Sequence, residues 1–297
     1  MHIATIRSSA PRPLAHYTEC FTVGPWVFAA GQIASDYQTG VAPEARQQPG
    51  GPVDGADITL QTRYVLGNLR KTFEAAGSAL DQVVRAQVFL TDLTHVQAFD
   101  AVWRDYFPVP PPRTTIATTG LLVPGTLVEI DLVGYIAGPN LHRRTVTAAP
   151  PQSLVHAPEA CTVGNMIFAA SQVASDGMTG MPAAGRTAPA LPSDDADIKT
   201  QTRLILEQLT ATFAAAGSSL DAVCKAQVFL TDLNDVTGFD AVWHDYFPAP
   251  PARTLVGTSG LLGAGSRVAI ALMDVAKRPH HVRDDASAHT PRAKAQA

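Results

Sequence analysis

Three cysteines, Cys20, Cys161 and Cys224, are too few and too scattered for a disulfide framework, and no CxxC pair or Cys/His cluster has zinc-ligand spacing. Neither a structural metal nor a cystine scaffold is expected. No apolar run approaches the roughly 20 residues of a membrane span. The opening MHIATIRSSAPRPLAHY lacks the apolar stretch and small-residue cleavage site of a secretory signal, so the expected address is cytoplasmic, away from any membrane. Basic excess is missing too: 22 Lys and Arg against 26 Asp and Glu leave a formal charge of −4. That balance gives no electrostatic footprint for a phosphate backbone and makes nucleic acid a poor candidate partner. The chain also has no GxGxxG, GxxxxGK[ST] or GxSxG, which removes support for phosphate cradles and for a serine-hydrolase elbow. No cofactor is implied.

What the chain does have is an internal repeat. RAQVFLTDL ending at Leu93 recurs as KAQVFLTDL ending at Leu233, and FDAVWRDYFPVPPPRT recurs as FDAVWHDYFPAPPART, with Arg113 and Arg253 in register at an offset of 140 residues. The same offset relates Gln61 to Gln201, Trp103 to Trp243 and Asp36 to Asp176, so the aligned parts differ by substitution without insertion. Tandem duplication follows. The 46% hydrophobic and 16% charged composition suits two globular domains, each with a modest core of its own. We place them at 1–138 and 153–277. A polar, proline-bearing linker over 139–152 joins them, and a tail over 278–297 with almost no large apolar side chain is expected to be mobile.

Within one copy, TECFTVG and WVFAAGQ, split at Gly24-Pro25, read as a β-hairpin. ADITLQTRYVLGNLRKTFEAAG reads as a helix, with Ile58, Val65, Leu69 and Phe73 near helical spacing, Asp57 placed to cap its start and Gly77 to end it. VVRAQVFLTD is a strand rich in β-branched residues. HVQAFDAVWRDYF has the apolar spacing of a second amphipathic helix, stopped by Pro108–Pro112. RTTIATTG and TLVEIDLVGYIA alternate like a closing pair of strands. The order is ββαβαββ, and an α+β domain with one sheet packed on two helices is the natural solution. Between Gly40 and Asp57 lies a long Gly/Pro-rich loop with an equally long counterpart in copy two; loops of that length are usually functional or disordered.

Arg113 and Arg253 each follow a proline run and open a strand, a rigid setting for aiming a guanidinium fork at a carboxylate; spacing alone favours a structural arginine that holds a carboxylate or backbone carbonyls at a strand edge. Glu129, between Val128 and Ile130, faces opposite to its apolar neighbours, toward solvent or a pocket. In a pocket its carboxyl would exchange protons near neutral pH. Copy two has Ala269 there. His16 with Glu19, and His156 with Glu159, form a weaker candidate pair for acid/base or metal work, since residues three apart on a strand point to opposite faces. Cys20 reads as a packed thiol, Trp103 and Trp243 as core.

Tyr17, VFAAGQIASDYQTG, ADITLQTR, AAGSALDQVVRAQVFLTDL, PPPRTTI and LVEIDL, in this order and largely repeated in copy two, resemble the Rid family of imine/enamine deaminases with the YjgF-type fold. The resemblance covers all but linker and tail. It implies two chorismate-mutase-like (RidA-like) domains, a homotrimer with pockets at domain interfaces, and cofactor-free hydrolysis of imines or enamines of 2-amino acids to 2-oxo acids. Carried over, Arg113 and Arg253 bind the substrate carboxylate, Glu129 positions water, Tyr17 lines the pocket, and Gly31, Thr115, Thr94 and Asn234 fall at substrate-binding positions. The family's serine before Gly31 is Ala30 here. Thr115 becomes Leu255 in copy two, Tyr17 becomes Ala157 and Glu129 becomes Ala269, which leaves Arg253 as the main asset of a degenerate second site.

The function expected from this reading is deamination of a small carboxylate-bearing imine, enamine or unsaturated amino acid. The alternative is a noncatalytic metabolite-binding or regulatory trimer. An endoribonuclease, a label also attached to the family, fits the acidic balance least.

Overall fold

A computed structural model of the chain describes residues 3–12, 15–47, 56–147, 155–174 and 194–275. The first copy runs β1 (Ile3–Ile6), β2 (Cys20–Val23), β3 (Trp26–Ala29), β4 (Gln32–Ile33), α1 (Ala56–Ala75), β5 (Val83–Leu90), α2 (Val96–Tyr106), β6 (Arg113–Ala117) and β7 (Val128–Tyr135). The second repeats it as β8 (Arg144–Val146), β9 (Ala160–Val163), β10 (Met166–Ala169), β11 (Gln172–Val173), α3 (Asp194–Ala215), β12 (Val223–Leu230), α4 (Val236–Tyr246), β13 (Ala252–Gly257), β14 (Gly260–Leu261) and β15 (Val268–Val275). The fold is α+β, as the repeat and its patterning imply.

Each copy adds a strand ahead of the hairpin: β1 pairs with β2, and β8, within the segment read as linker, pairs with β9. The last two strands are not neighbours, contrary to the closing pair read from alternation. The first sheet runs β1-β2-β3-β7-β5-β6-β14, so β7 lies antiparallel on one side of β5 and β6 parallel on the other. The reason is the intervening helix. α2 carries the chain back to the starting end of β5, so the following strand runs parallel to it, and only the far side remains for β7.

α1 and α2 cover one face of the first sheet, where Val65, Leu69, Phe73, Phe99, Trp103, Val88, Ile130 and Leu132 form the core; α3 and α4 do the same for the second. Gly77 ends α1 at φ 74°, with its N–H on the carbonyl of Glu74 and that of Ser78 on Phe73, a Schellman closure that Gly217 and Ser218 repeat. Asp57, read as a cap, lies in the first turn, and its carboxylate accepts the N–H of Gln47 at 3.0 Å. It thereby ties down the loop before the helix. The loop is packed as far as Gln47, with Ala42 and Ala45 fully buried. The counterpart loop over 175–193, the linker residues 148–154 and the tail lie outside the described residues.

The copies meet through the face of the first sheet opposite its helices. Cys161, Val163 and Phe168 pack on Val84 and Tyr135, and Phe229, Leu261 and Ala269 on Ile116. β14 of the second copy extends the first copy's sheet by pairing with β6, Gly260 opposite Ala117 and Leu261 opposite Ile116. Arg85 donates to Gln227 across this boundary.

Candidate active site

Strand register decides what the candidate residues can share. Arg113 pairs with Ala86 and through it with Leu132, whereas Ile116 pairs with Phe89 and through it with Glu129. Paired residues point to one face and residues three apart along a strand to opposite faces. Arg113 therefore faces the helices and Glu129 the opposite side, the one that also meets the second copy at Ile116. One domain cannot bring its own arginine to its own glutamate.

The guanidinium of Arg113 is wholly buried, 4.9 Å from the Trp103 ring and 5.1 Å from Phe99, with Nη2 on Asp100 at 2.6 Å. Its Nε and Nη1, and Oγ1 of Thr115 two residues on, have no hydrogen-bond partner among the described residues. Above the Asp100 pair lies the entrance of the second copy, where His156 places Nε2 3.2 Å from the Phe107 carbonyl and Nδ1 3.1 Å from Arg104. Arg253 repeats the arrangement in looser form, with Nη1 on Asp240 at 2.6 Å but a quarter of its side chain exposed.

On its face of the sheet Glu129 lies against Gly31 so closely that a Cβ there would overlap the Glu129 Oε1. Burial, with the neighbouring Asp131 adding to it, raises the Glu129 carboxyl above the usual carboxylate range. The Tyr17 hydroxyl lies 3.3 Å from that of Tyr37, on whose phenol the Glu129 charge acts. Tyr17, Gly31 and Tyr37 share a crevice of about 10 Å³, at the lower limit for one water. Tyr37 is buried at φ 58°, an outlier for a bulky residue, and is held there by Ser35, whose Oγ accepts the Tyr37 N–H at 2.9 Å and donates to the Gly40 carbonyl. Burial and the Tyr17 hydroxyl push the Tyr37 phenol up. Sequence reading missed Tyr37; its place in the quoted run DYQTG was the only signal, and a positive φ cannot be read from composition.

Copy two has lost this half of the site in a coupled way: where Glu129 and Gly31 touch, it has Ala269 and Ser171, so the glycine is not needed once the carboxylate is gone. Ala269 is buried among Ile116, Phe229 and Leu261. Thr94 and Asn234 are exposed and give their backbone N–H groups to Asp92 and Asp232, in turns beyond the ends of β5 and β12 and away from both arginines. Glu19 is committed to Ser8 and to the Thr72 hydroxyl at 2.6 Å, so the His16/Glu19 pair is dissolved into a structural network. Among the described residues no His, Cys, Asp and Glu cluster could hold a metal. Cys20 is packed, its thiol pushed up to about 11 by burial. A cavity of about 590 Å³ between the two sheets has no ionisable lining residue and so offers no acid/base group.

The family model described as Endoribonuclease L-PSP matches this chain twice, over residues 7–136 and 147–275. A RutC family protein of Pyrococcus horikoshii is 31% identical over 127 residues, 43% of this chain and 92% of that protein. One from Sulfurisphaera tokodaii is 32% identical over 124 residues, 42% of this chain and 90% of that protein. Among solved structures, RidA from an Antarctic Psychrobacter is 29% identical at a TM-score of 0.37, covering 45% of this chain and 99% of that one. A Rid family protein of Yersinia pestis is 27% identical at 0.38, covering 45% and 99%.

Proposed function

From the premise that this chain belongs to the Endoribonuclease L-PSP family, also called Rid, with two of its domains in tandem, we propose a cytoplasmic, cofactor-independent, homotrimeric deaminase of small carboxylate-bearing imines or enamines. The observation that carries the reading is the half-buried Glu129 carboxylate set against Gly31, which itself lines the crevice holding the paired hydroxyls of Tyr17 and Tyr37.

An imine carbon is already electrophilic, so orientation and one modest base suffice. Glu129 takes a proton from water as the oxygen bonds to the imine carbon and the C=N π pair moves to nitrogen. As the C–N bond of the carbinolamine breaks, Glu129 returns its proton to nitrogen and the freed carboxylate takes up the hydroxyl proton, so ammonia leaves and the C=O bond of the 2-oxo acid forms. Tyr17 and Tyr37 hold the attacking oxygen. An arginine of the Arg113 and Arg253 type, supplied across a domain interface, holds the carboxylate as a bidentate fork. The test is 2-aminoacrylate generated in situ from serine by a dehydratase: pyruvate and ammonia must appear faster with the protein than without it.

Two variants refine the reading. Gly31→Ala drives a methyl into the Glu129 carboxylate and is expected to lower kcat about 10²-fold. In a Glu129→Ala background the same change should leave thermal stability unaltered, because the clash is gone. The acidic limb of the pH–rate profile should follow Glu129, which works as the carboxylate: activity rises with pH through a value above the ordinary carboxylate range. Asp131→Asn removes the negative charge that helps raise it and should move that limb to lower pH. An unmoved limb assigns it to another group.

A second reading, binding without turnover, is favoured at one place. Arg113 Nε and Nη1 and Thr115 Oγ1, without a hydrogen-bond partner among the described residues, lie beneath a copy that lacks both Tyr17 and Glu129 counterparts. Calorimetric binding of pyruvate lost in Arg113→Met, with no hydrolysis by the wild-type chain, would select it. The RNA cleavage in the family's description finds little support in a net charge of −4; salt-sensitive RNA binding would revive it.

A further inference from the structure

Two cavities of the first copy meet at Tyr17. One is the narrow crevice that also holds Gly31 and Tyr37. The other, of about 180 Å³, shares Tyr17 and Glu19 with it as a common wall and is otherwise lined by β1 and the chain that follows, including Arg7, Ser8 and Arg12. Local bonding explains how that chain is held. β1 pairs with β2 as far as Ile6 opposite Cys20, so the next residues leave the sheet beside Glu19. The Glu19 carboxylate accepts the Ser8 N–H at 3.1 Å and the hydroxyls of Ser8 and Thr72. Ser8 Oγ in turn accepts the Ala10 N–H at 2.9 Å, a local turn that buries Ala10 and brings Arg12 into the wall of the cavity that Arg7 lines.

The cavity is cationic in a way the crevice is not. Neither Arg7 nor Arg12 forms an ion pair among the described residues, while the Glu19 charge is already met by the Ser8 and Thr72 donors. Two guanidinium forks therefore line one small cavity with their charge unmatched, a setting that suits an anion.

The duplication supplies the control. At the offset of 140 residues Arg7 becomes Thr147, Ser8 becomes Ala148 and Arg12 becomes Gln152. Even so, β8 pairs with β9 as β1 pairs with β2, and Glu159, the counterpart of Glu19, is buried. The two arginines are thus not needed to build this part of the domain. They occur in the copy that has Tyr17, Gly31 and Glu129 and are missing from the copy that has Ala157, Ser171 and Ala269 in their places. The cationic cavity and the acid/base crevice are kept together or lost together.

We propose that the Arg7–Arg12 cavity holds an anionic group at the far end of the substrate, so that the preferred imine is one derived from an acidic amino acid with a side-chain carboxylate. The assignment to a substrate rests on the deaminase reading, although carboxylate binding by the cavity does not. With water in the crevice and the imine carbon at its mouth, the substrate side chain extends along the Tyr17 ring, which is 40% exposed, and its carboxylate meets the two guanidinium forks. A carboxylate suits the cavity better than a phosphate dianion, because the Glu19 carboxylate in the same wall repels a second full negative charge. A short apolar side chain leaves the cavity to water and gains nothing from it.

The test uses the full chain and two imines made in situ by amino-acid oxidases with catalase present, one from glutamate and one from glutamine. They differ only in the distal group, a carboxylate against an amide of the same shape. Loss of each imine, trapped as its semicarbazone, is followed and corrected for spontaneous hydrolysis. The wild type is expected to favour the glutamate imine about 10- to 10²-fold in kcat/KM, the range for hydrogen bonds to a charged group. In the double variant Arg7→Gln/Arg12→Gln that preference should vanish. Both positions are exposed and outside every strand and helix, so far-UV spectrum and melting temperature should be those of the wild type. Because the arginines are exposed, added salt should also shrink the preference. Equal rates for the two imines in the wild type, or a preference that survives in the double variant, overturns the proposal and leaves the deaminase reading standing. If neither imine is turned over, that reading falls and calorimetry with glutarate decides the cavity: binding in the wild type that is lost in the double variant upholds a carboxylate site, and glutarate binding that is absent or unchanged removes it.

Discussion

Glu129→Gln is expected to lower kcat for imine hydrolysis about 10²- to 10⁴-fold, the range for loss of one positioned acid/base group, while changing KM little. The amide keeps the size of the side chain and its place against Gly31, so the crevice beside Tyr17 and Tyr37 should survive. What is lost is the ability to take a proton from water and return it to nitrogen. The variant should also lose the acidic limb of the pH–rate profile, because the titrating carboxyl is gone. A residual rate within a few fold of wild type would assign proton transfer elsewhere, with the Tyr17–Tyr37 hydroxyl pair the next candidate. The internal control is the second copy. Ala269→Glu should not create activity there, since the position is buried among Ile116, Phe229 and Leu261 and Ser171 occupies the space that Gly31 leaves open in the first copy.

Asp100→Ala should lower the unfolding free energy by about 3–5 kcal/mol, the usual effect of stranding a buried charge. The Arg113 side chain has no solvent exposure and among the described residues its one carboxylate partner is Asp100 at 2.6 Å, so the variant removes that counter-charge from a cation set among Phe99 and Trp103. The identical pair in the second copy is the comparison. Arg253 and Asp240 are 25% and 49% exposed, and Asp240→Ala should remove only about 0–1 kcal/mol, as for surface pairs. Urea midpoints read both effects. Equal losses in the two copies would show that burial of the Arg113 pair is not what distinguishes them.

Parts of this site were legible without coordinates, and the reasons differ by residue. Glu129 was readable as turned away from the core because strand alternation is local: Val128 and Ile130 are buried and Glu129 is not. Arg113 was readable as rigidly placed because the proline run fixes the chain just before β6. That these two side chains occupy opposite faces was not readable, because it depends on the register between β6, β5 and β7 and on the parallel return made through α2. Tyr37 escaped because its left-handed backbone is imposed by Ser35 and the turn to Gly40, contacts that no periodicity announces. Thr94, Asn234 and the His16/Glu19 pair were singled out by motif position or repetition. Their backbone and side-chain partners in the folded chain give them capping and bracing work instead.

The sequence by itself determined the duplication, the order of helices and strands after the leading strand of each copy, the α+β class and the loss of Tyr17 and Glu129 equivalents from the second copy. Each of these is written in local pattern or in comparison of one half with the other. The tertiary structure alone decided which strands are neighbours, which face each candidate occupies, and that the second copy packs on the first sheet at Val84, Ile116 and Tyr135 while His156 closes over Phe107 and Arg104 beside the Arg113–Asp100 pair. Those depend on contacts between residues far apart in the chain. The two copies carry nearly the same local code, yet only one of each pair of equivalent surfaces can be covered when two domains meet once.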